Sequence, residues 1–339
     1  MYIQKIFTKH GWMNDTYHSP SRNIPMRSDS KYLFEIENTK GPTDEDEKVA
    51  LELKMKFNYR QALGEVLYAM VTCRPDISIA VTKLSQYSQN PAEVHYVALK
   101  NMFRYLRNTK DDGLVFWRKT VFKMNLIKFQ TLPQMYSDPE IQKELLSDKT
   151  CNSDLGTMTA FVDSDWAGDT QHRKSITGLA VMFAGSVIAY KSKIQQTIAL
   201  SSTEAEFVAA CEAGKMILYL RTILEEMNID QNEATILYED NQGALMMANA
   251  QQPTRRTRHI DTATFALQDW VARDLLNLEF VVSTKNKSDG MTKPLARVLF
   301  YKHFDVLMGR LIPKQFRKEN IEIDETENGQ HSTTTTTNS

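Results

Sequence analysis

The sequence predicts an α/β fold, a mixed five-stranded sheet flanked by helices and preceded by a mainly helical region. Three observations carry this. Apolar residues recur at helical spacing between Tyr59 and Trp117, and five short strand-like runs lie between residues 158 and 283. Those runs come in the order three strands, helix, strand, helices, strand, helix, which suits a mixed sheet with helices on its faces. A chain of 339 residues with 42% hydrophobic residues is long enough to bury the core this needs.

The first forty residues hold a short helical pattern, then a polar stretch from Ser19 to Lys40 with Pro20, Pro25 and little periodicity. The acidic run from Gly41 to Glu52 predicts the solvated start of a helix. Leu63, Val66, Met70 and Val71 would form one apolar stripe. Arg74-Pro75-Asp76 places a proline and an acid where a first helical turn favours them. Asn90-Pro91 repeats the arrangement ahead of Val94, Ala98, Met102, Tyr105 and Leu106. After the stop at Lys110–Gly113, Leu114–Trp117 reads as a strand. This half reads as packed helices without chemistry of their own, with a partner surface as a further use of its amphipathic stripes.

Residues 119–157 are weakly patterned and read as a linker or insertion. Met158 to Asp163 is then a strand ending in an acid. Gly178–Ala184 and Val187–Lys193 are two more, joined by a turn at Gly185-Ser186. Ser201-Ser202-Thr203 opens a long helix to about Met227. Thr235–Glu239 is a fourth strand, Gln242–Asn249 and Thr262–Arg273 are helices, Leu278–Ser283 is the fifth strand, and a final helix runs from about Thr292 to Met308. Residues 311–339 form a polar, low-complexity tail expected to be disordered.

Charge and cysteine usage exclude several classes. The 41 Lys+Arg nearly balance 42 Asp+Glu, so a nucleic-acid partner would need a local basic face. Cys73, Cys151 and Cys211 lie far apart and form no CxxC pair, which argues against a zinc ribbon or a disulfide framework and favours a reducing compartment. No apolar run approaches the roughly 20 residues of a membrane span, and the start lacks the features of a secretory signal.

Four carboxylates sit where a site could assemble: Asp163 at a strand end, Glu206 in the first turn of the long helix, Asp240 at a strand end and Asp289 before the last helix. Clustered carboxylates raise one another's pKa and do not stay ionised together without cations between them. Hard oxygen ligands select magnesium or manganese over zinc. Two such ions about 3.5–4 Å apart can bracket a phosphodiester. Chance placement among 42 acids is the competing explanation, and a helix-start Glu is often only a favourable dipole partner.

The segments Phe161–Gly168, Ala199–Phe207, Tyr238–Gln242, Arg258–Asp261 and Asp289–Leu295 resemble, in order, the RNase H domain of copia-type retrotransposon Gag-Pol polyproteins. Tyr59–Gly64, Arg74–Ile77, Asn90-Pro91 and Arg104–Lys110 resemble the stretch between polymerase and RNase H in the same polyproteins. The resemblance covers most of residues 1 to about 310. It implies an RNase H-like domain over 158–310 and a reverse transcriptase and connection remnant over 1–118. It also implies a magnesium-dependent endonuclease that cuts RNA in RNA–DNA hybrids with two ions (manganese as a substitute), held by Asp163, Glu206, Asp240 and Asp289. Glu206 is preferred to Glu204 for the Phe-Val-Ala-Ala that follows it. Asp165 is the rival of Asp163.

His259 could assist product release or touch phosphate, or simply start a helix, and Asp261 reads as a cap. Arg173, Lys193, Arg256, Arg258 and Lys287, with Lys191, Lys293 and other loop cations, would track phosphates or be ordinary solvated charges. Trp166 and Trp270 could stack on a sugar or base, with core packing favoured. The implied partners are an RNA–DNA hybrid and the upstream polymerase part. The implied location is cytoplasmic, in a virus-like particle, or nuclear.

The Tyr-x-Asp-Asp polymerase motif is absent from the sequence, and so is any GxxxxGK[ST] loop. The chain is therefore expected to be a C-terminal piece that does not synthesise DNA alone. The alternative is an inactive relic that only binds nucleic acid. Ser288-Asp289-Gly290 motivates it, because the family more often has Ala before the acid and a larger residue after it.

Overall fold

The structure is a computed structural model that describes residues 2–12, 24–117, 145, 148–151, 155–250 and 261–310, with the backbone alone for 261–264. The helical region comprises α1 (Tyr2–His10), α2 (Ser30–Asn38), α3 (Glu45–Met55), α4 (Tyr59–Thr72), α5 (Ser78–Ser85) and α6 (Glu93–Asn108). The rest is β1 (Thr159–Asp169), β2 (Lys174–Phe183), β3 (Ser186–Ile194), α7 (Ser202–Glu226), β4 (Thr235–Glu239), α8 (Gln242–Ala248), α9 (Asp261–Ala272), β5 (Leu276–Phe280), α10 (Asp289–Thr292) and α11 (Arg297–Leu307). The tail from 311 and most of 119–157 lie outside the described residues.

The strands lie in the order β3-β2-β1-β4-β5. β1, β2 and β3 pair antiparallel, while β4 joins β1 and β5 joins β4 in parallel. The sheet is therefore mixed and five-stranded, as expected. Local chemistry sets the boundaries. Asp44, Asn58 and Ser201 each accept a backbone N–H three residues on, capping α3, α4 and α7. The β2–β3 hairpin turns on Ala184 and Gly185, both with positive φ, while Ser186 already pairs with Phe183. The turn thus lies one residue earlier than Gly185-Ser186.

Four further differences have physical reasons. A helix, α2, forms inside the polar stretch. Asp29 caps it by accepting from Tyr32 N, and one fully buried residue, Ile36, anchors it, which is too little to show as periodicity. Val71 is 63% exposed, off the stripe that Leu63 and Val66 bury. Leu114–Trp117 is not a strand: Val115 N donates to Met308 O and Trp117 N to Ala184 O, two isolated bonds instead of a ladder. The last helix is split into α10 and α11 around extended Lys293 and Pro294, which supplies no N–H.

Two cores sandwich the sheet. Ala160, Val162, Leu179 and Val181 pack with α7, α8 and α9 residues such as Phe207, Ile217, Met247 and Leu267. On the other face Phe161, Ala180, Met182, Val187 and Tyr238 join one cluster with Phe7, Leu63, Leu84, Leu99, Phe103, Met291 and Phe304. The N-terminal helices thus cover one face of the sheet. Arg74 and Asp76, both fully buried, pair bidentately at 2.9 and 2.6 Å, and Tyr105 donates to Asp76 at 2.6 Å. The Arg-Pro-Asp motif is thus a buried junction as well as a helix start. Among the described residues no helix is long and apolar enough to cross a membrane.

Candidate metal centre

The parallel strands β1 and β4 bring their C-terminal halves to one edge of the sheet, where α7 begins. Asp163 lies on β1 opposite Gly178, Asp240 follows β4 directly, and Glu206 lies near the start of α7. One carboxylate oxygen from each of these three acids lies within 4.8 Å of the others. Asp163 and Glu206 are 4% and 6% exposed, and Glu206 Oε2 is buried without a hydrogen-bond partner.

The structure separates the rivals. Glu204 accepts from Leu200 N at 2.8 Å and so closes the start of α7, while Glu206 turns inward. Asp165 stands two residues along β1 from Asp163, half-buried and outside the compact trio.

Asp289 reaches the same edge on α10, and small residues let it approach. A Cβ on Gly178 would lie 2.6 Å from Thr292 Cγ2 and 2.9 Å from the Ser288 carbonyl oxygen. Asn286, fully buried, donates to Val162 O at 2.7 Å and accepts from Ser288 Oγ at 2.7 Å, pinning the α10 approach to β1. Gly290 faces the Phe304 ring at 2.7 Å from where its Cβ would stand, so packing accounts for the small residue after the acid. Asp289 is not part of the compact trio. Its Oδ1 is instead ion-paired with Lys293 Nζ at 2.5 Å, a contact that lacks hydrogen-bond alignment.

Burial, then the charge of Asp289, pushes the Asp163 carboxyl up to about 7, even though the Thr292 hydroxyl donates to it. Burial, then Glu239, raises Glu206 strongly. Glu239 itself is fully buried and raised by burial, with Oε1 accepting from Asn241 N at 3.0 Å and Oε2 unpartnered. Among the described residues, Asp163, Glu206, Glu239, Asp240 and Asp289 thus gather with Lys293 as their counter-cation. An all-oxygen donor set with this excess of negative charge and a buried, unsatisfied carboxylate oxygen fits a hard divalent cation of the magnesium or manganese type.

Thr292 and Glu239 carry no sequence signal for the site, and Lys293 pairs with Asp289 where the sequence suggests a phosphate-tracking cation. Their contacts span the fold or hang on a four-residue helix, neither of which leaves a local pattern. Arg173 is exposed in the β1–β2 turn at φ 56°. Lys193 is exposed on β3 and lines a groove of about 570 Å³ with Lys191, Ile198 and Lys215. Lys287 corrects the expected phosphate contacts: it is 2% exposed and ion-paired to Asp148 at 3.4 Å, so it cannot reach a surface phosphate. Arg256, Arg258 and His259 lie outside the described residues. Trp166 is 47% exposed, its indole N–H donating to Ala199 O at 3.0 Å, so it is not the core residue expected; Trp270 is half-buried and packs against Gly214 at the border of the core.

No family model matches the chain. It is 33% identical over 259 residues to the retrovirus-related Pol polyprotein from transposon TNT 1-94 of Nicotiana tabacum, covering 76% of this chain and 17% of that protein. To the corresponding polyprotein from transposon RE2 of Arabidopsis thaliana it is 30% identical over 242 residues, 71% of this chain and 14% of that one. A protein named secreted RxLR effector protein 161 of Plasmopara viticola is 33% identical over 162 residues, 48% of this chain and 90% of its own length. The chain therefore spans less than a fifth of these two polyproteins.

Proposed function

The chain belongs to the Pol polyproteins of copia-type retrotransposons, and from that premise we propose that it carries a ribonuclease H site acting on RNA–DNA hybrids. The observation that carries the proposal is the trio Asp163, Glu206 and Asp240, with oxygens within 4.8 Å and one of them buried and unpartnered. The mixed sheet in the order β3-β2-β1-β4-β5, with helices on both faces, supports an RNase H-like fold for residues 158–310.

Asp163, Glu206, Asp240 and, when released from Lys293, Asp289 would hold divalent magnesium. Bound there, the metal supplies Lewis-acid polarisation of a phosphoryl oxygen and a nucleophilic water at neutral pH. The protein does the rest. Thr292 orients the Asp163 carboxylate, Asn286 fixes the segment that carries Asp289, and the Ser201 cap sets where α7 presents Glu206. Exposed cations such as Arg173 and Lys193 would meet the backbone of a hybrid, which is read by shape and 2′-hydroxyls. The reaction is hydrolysis of the RNA phosphodiester to 3′-hydroxyl and 5′-phosphate ends. The polymerase part of the polyprotein is the proposed partner, and a virus-like particle in the cytoplasm the proposed setting.

Purified protein with magnesium should cut the RNA strand of a hybrid and leave single-stranded RNA intact. Asp240→Asn should lower the rate at least about a hundredfold, since it removes one of the charges at the reacting centre. Equal activity in the variant would remove the site assignment. Hybrid binding without cleavage at any magnesium or manganese concentration would leave the relic reading instead.

A further inference from the structure

The four acids named for the site are not equivalent. Asp163, Glu206 and Asp240 form a trio open to a cation, whereas Asp289 is closed by an ion pair with Lys293, four residues along the chain. The pair is lopsided: the carboxylate side chain is 5% exposed, while the lysine side chain is 50% exposed. Its anion is fixed to the α10 segment, and its cation already stands half in water. Because the ammonium carries a single charge on a flexible four-carbon stem, a divalent ion competes with it on charge and a solvated lysine loses little on release.

We propose that Lys293 is a built-in counter-cation of the acid centre. It holds Asp289 until a second divalent ion arrives, so that ions load in order, the first on the Asp163–Glu206–Asp240 trio and the second only as Lys293 swings away. Lys293 is thus a positioning residue that sets the metal concentration at which the full constellation forms. This rests on the nuclease reading of the same site, where two ions are required, and it adds the order of loading and the residue that imposes it.

Calorimetric titration of the full chain with manganese, and separately with magnesium, tests the proposal. The variants are Lys293→Met, Lys293→Arg and Asp240→Asn, each checked for native circular dichroism. The wild type should show one stronger and one weaker ion. Lys293→Met should tighten the weaker one by about two- to fivefold, the size expected from removing a half-exposed competing charge, and change the stronger one less. Lys293→Arg, which keeps the charge, should stay near wild type. Mn–Mn coupling in electron paramagnetic resonance should appear at lower manganese in Lys293→Met than in wild type. An unchanged or weakened second ion in Lys293→Met overturns the loading order while leaving the nuclease site intact. Loss of the stronger ion in Asp240→Asn alone supports the trio. Absence of any bound ion in the wild type overturns the nuclease reading, and this inference with it.

Discussion

Asp163 is a carboxyl that folding makes harder to ionise, chiefly by burial and next by Asp289, so that it holds its proton up to about 7. An unfolded aspartate titrates near pH 4. Between those values the native state binds more protons than the unfolded state, so stability falls as pH rises. Glu206 and Glu239 are raised for the same reason and act in the same direction. Two buried histidines oppose this. Burial lowers His95, and lowers His303 to about 3, so their contribution is lost as pH falls below about 6.5, the ordinary histidine value. Divalent ions act only on the acids. Saturating magnesium should therefore raise the melting temperature little at about pH 5 and strongly at about pH 8, a difference on the order of a few kcal/mol. Asp163→Asn should flatten the metal-free loss between about pH 4 and 7. Thermal melts with and without magnesium across that range check it, and a magnesium effect independent of pH would refute it.

At the scale of elements, the site depends on how closely a four-residue helix can lie on a strand. Gly178 leaves that room, with Thr292 and Ser288 where its Cβ would be. Gly178→Ala should cost about 1–3 kcal/mol by overpacking and also weaken metal binding, because Thr292 orients Asp163. Gly64, inside α4, has nothing within 4 Å of its Cβ position, and Gly64→Ala should stabilise by about 0.5–1 kcal/mol without touching metal binding. Denaturant unfolding and manganese titration of both variants measure the contrast; equal effects would refute the close-approach argument. The same contrast shows what could be read in advance. Thr235–Glu239 and the helices between Tyr59 and Asn108 announce themselves by periodicity, and strand ends and helix starts nominated Asp163, Glu206, Asp240 and Asp289. The Thr292–Asp163 bond, spanning 129 positions, and the Lys293 ion pair have no local signature. Nor could composition show that Lys287 is consumed by Asp148.

Across the whole molecule, the helices and the sheet share one core. Phe161 and Met182 from the sheet lie in the same cluster as Leu99 and Phe103 from α6, and Ser192 on β3 donates to Thr82 on α5 at 3.0 Å. Tyr190 donates to the Met70 carbonyl across the same boundary. Lys83, ion-paired to Glu37 at 2.9 Å, reaches the Gly168 carbonyl on β1. Removing a strong contact wholly within the helices should then loosen the strand that carries Asp163. Asp76→Ala is the sharpest such change, because it strands the fully buried Arg74 guanidinium and removes the acceptor of Tyr105, an effect of about 3–5 kcal/mol. Arg74 retains its bonds to Thr109 O and Oγ1, so the lower part of that range is expected. Amide hydrogen exchange should show α6 and β1 losing protection together, by similar factors, with one cooperative unfolding transition at lower denaturant. If α6 opened while β1 kept wild-type protection, the helices would be a separable module, and the acid centre would not need them.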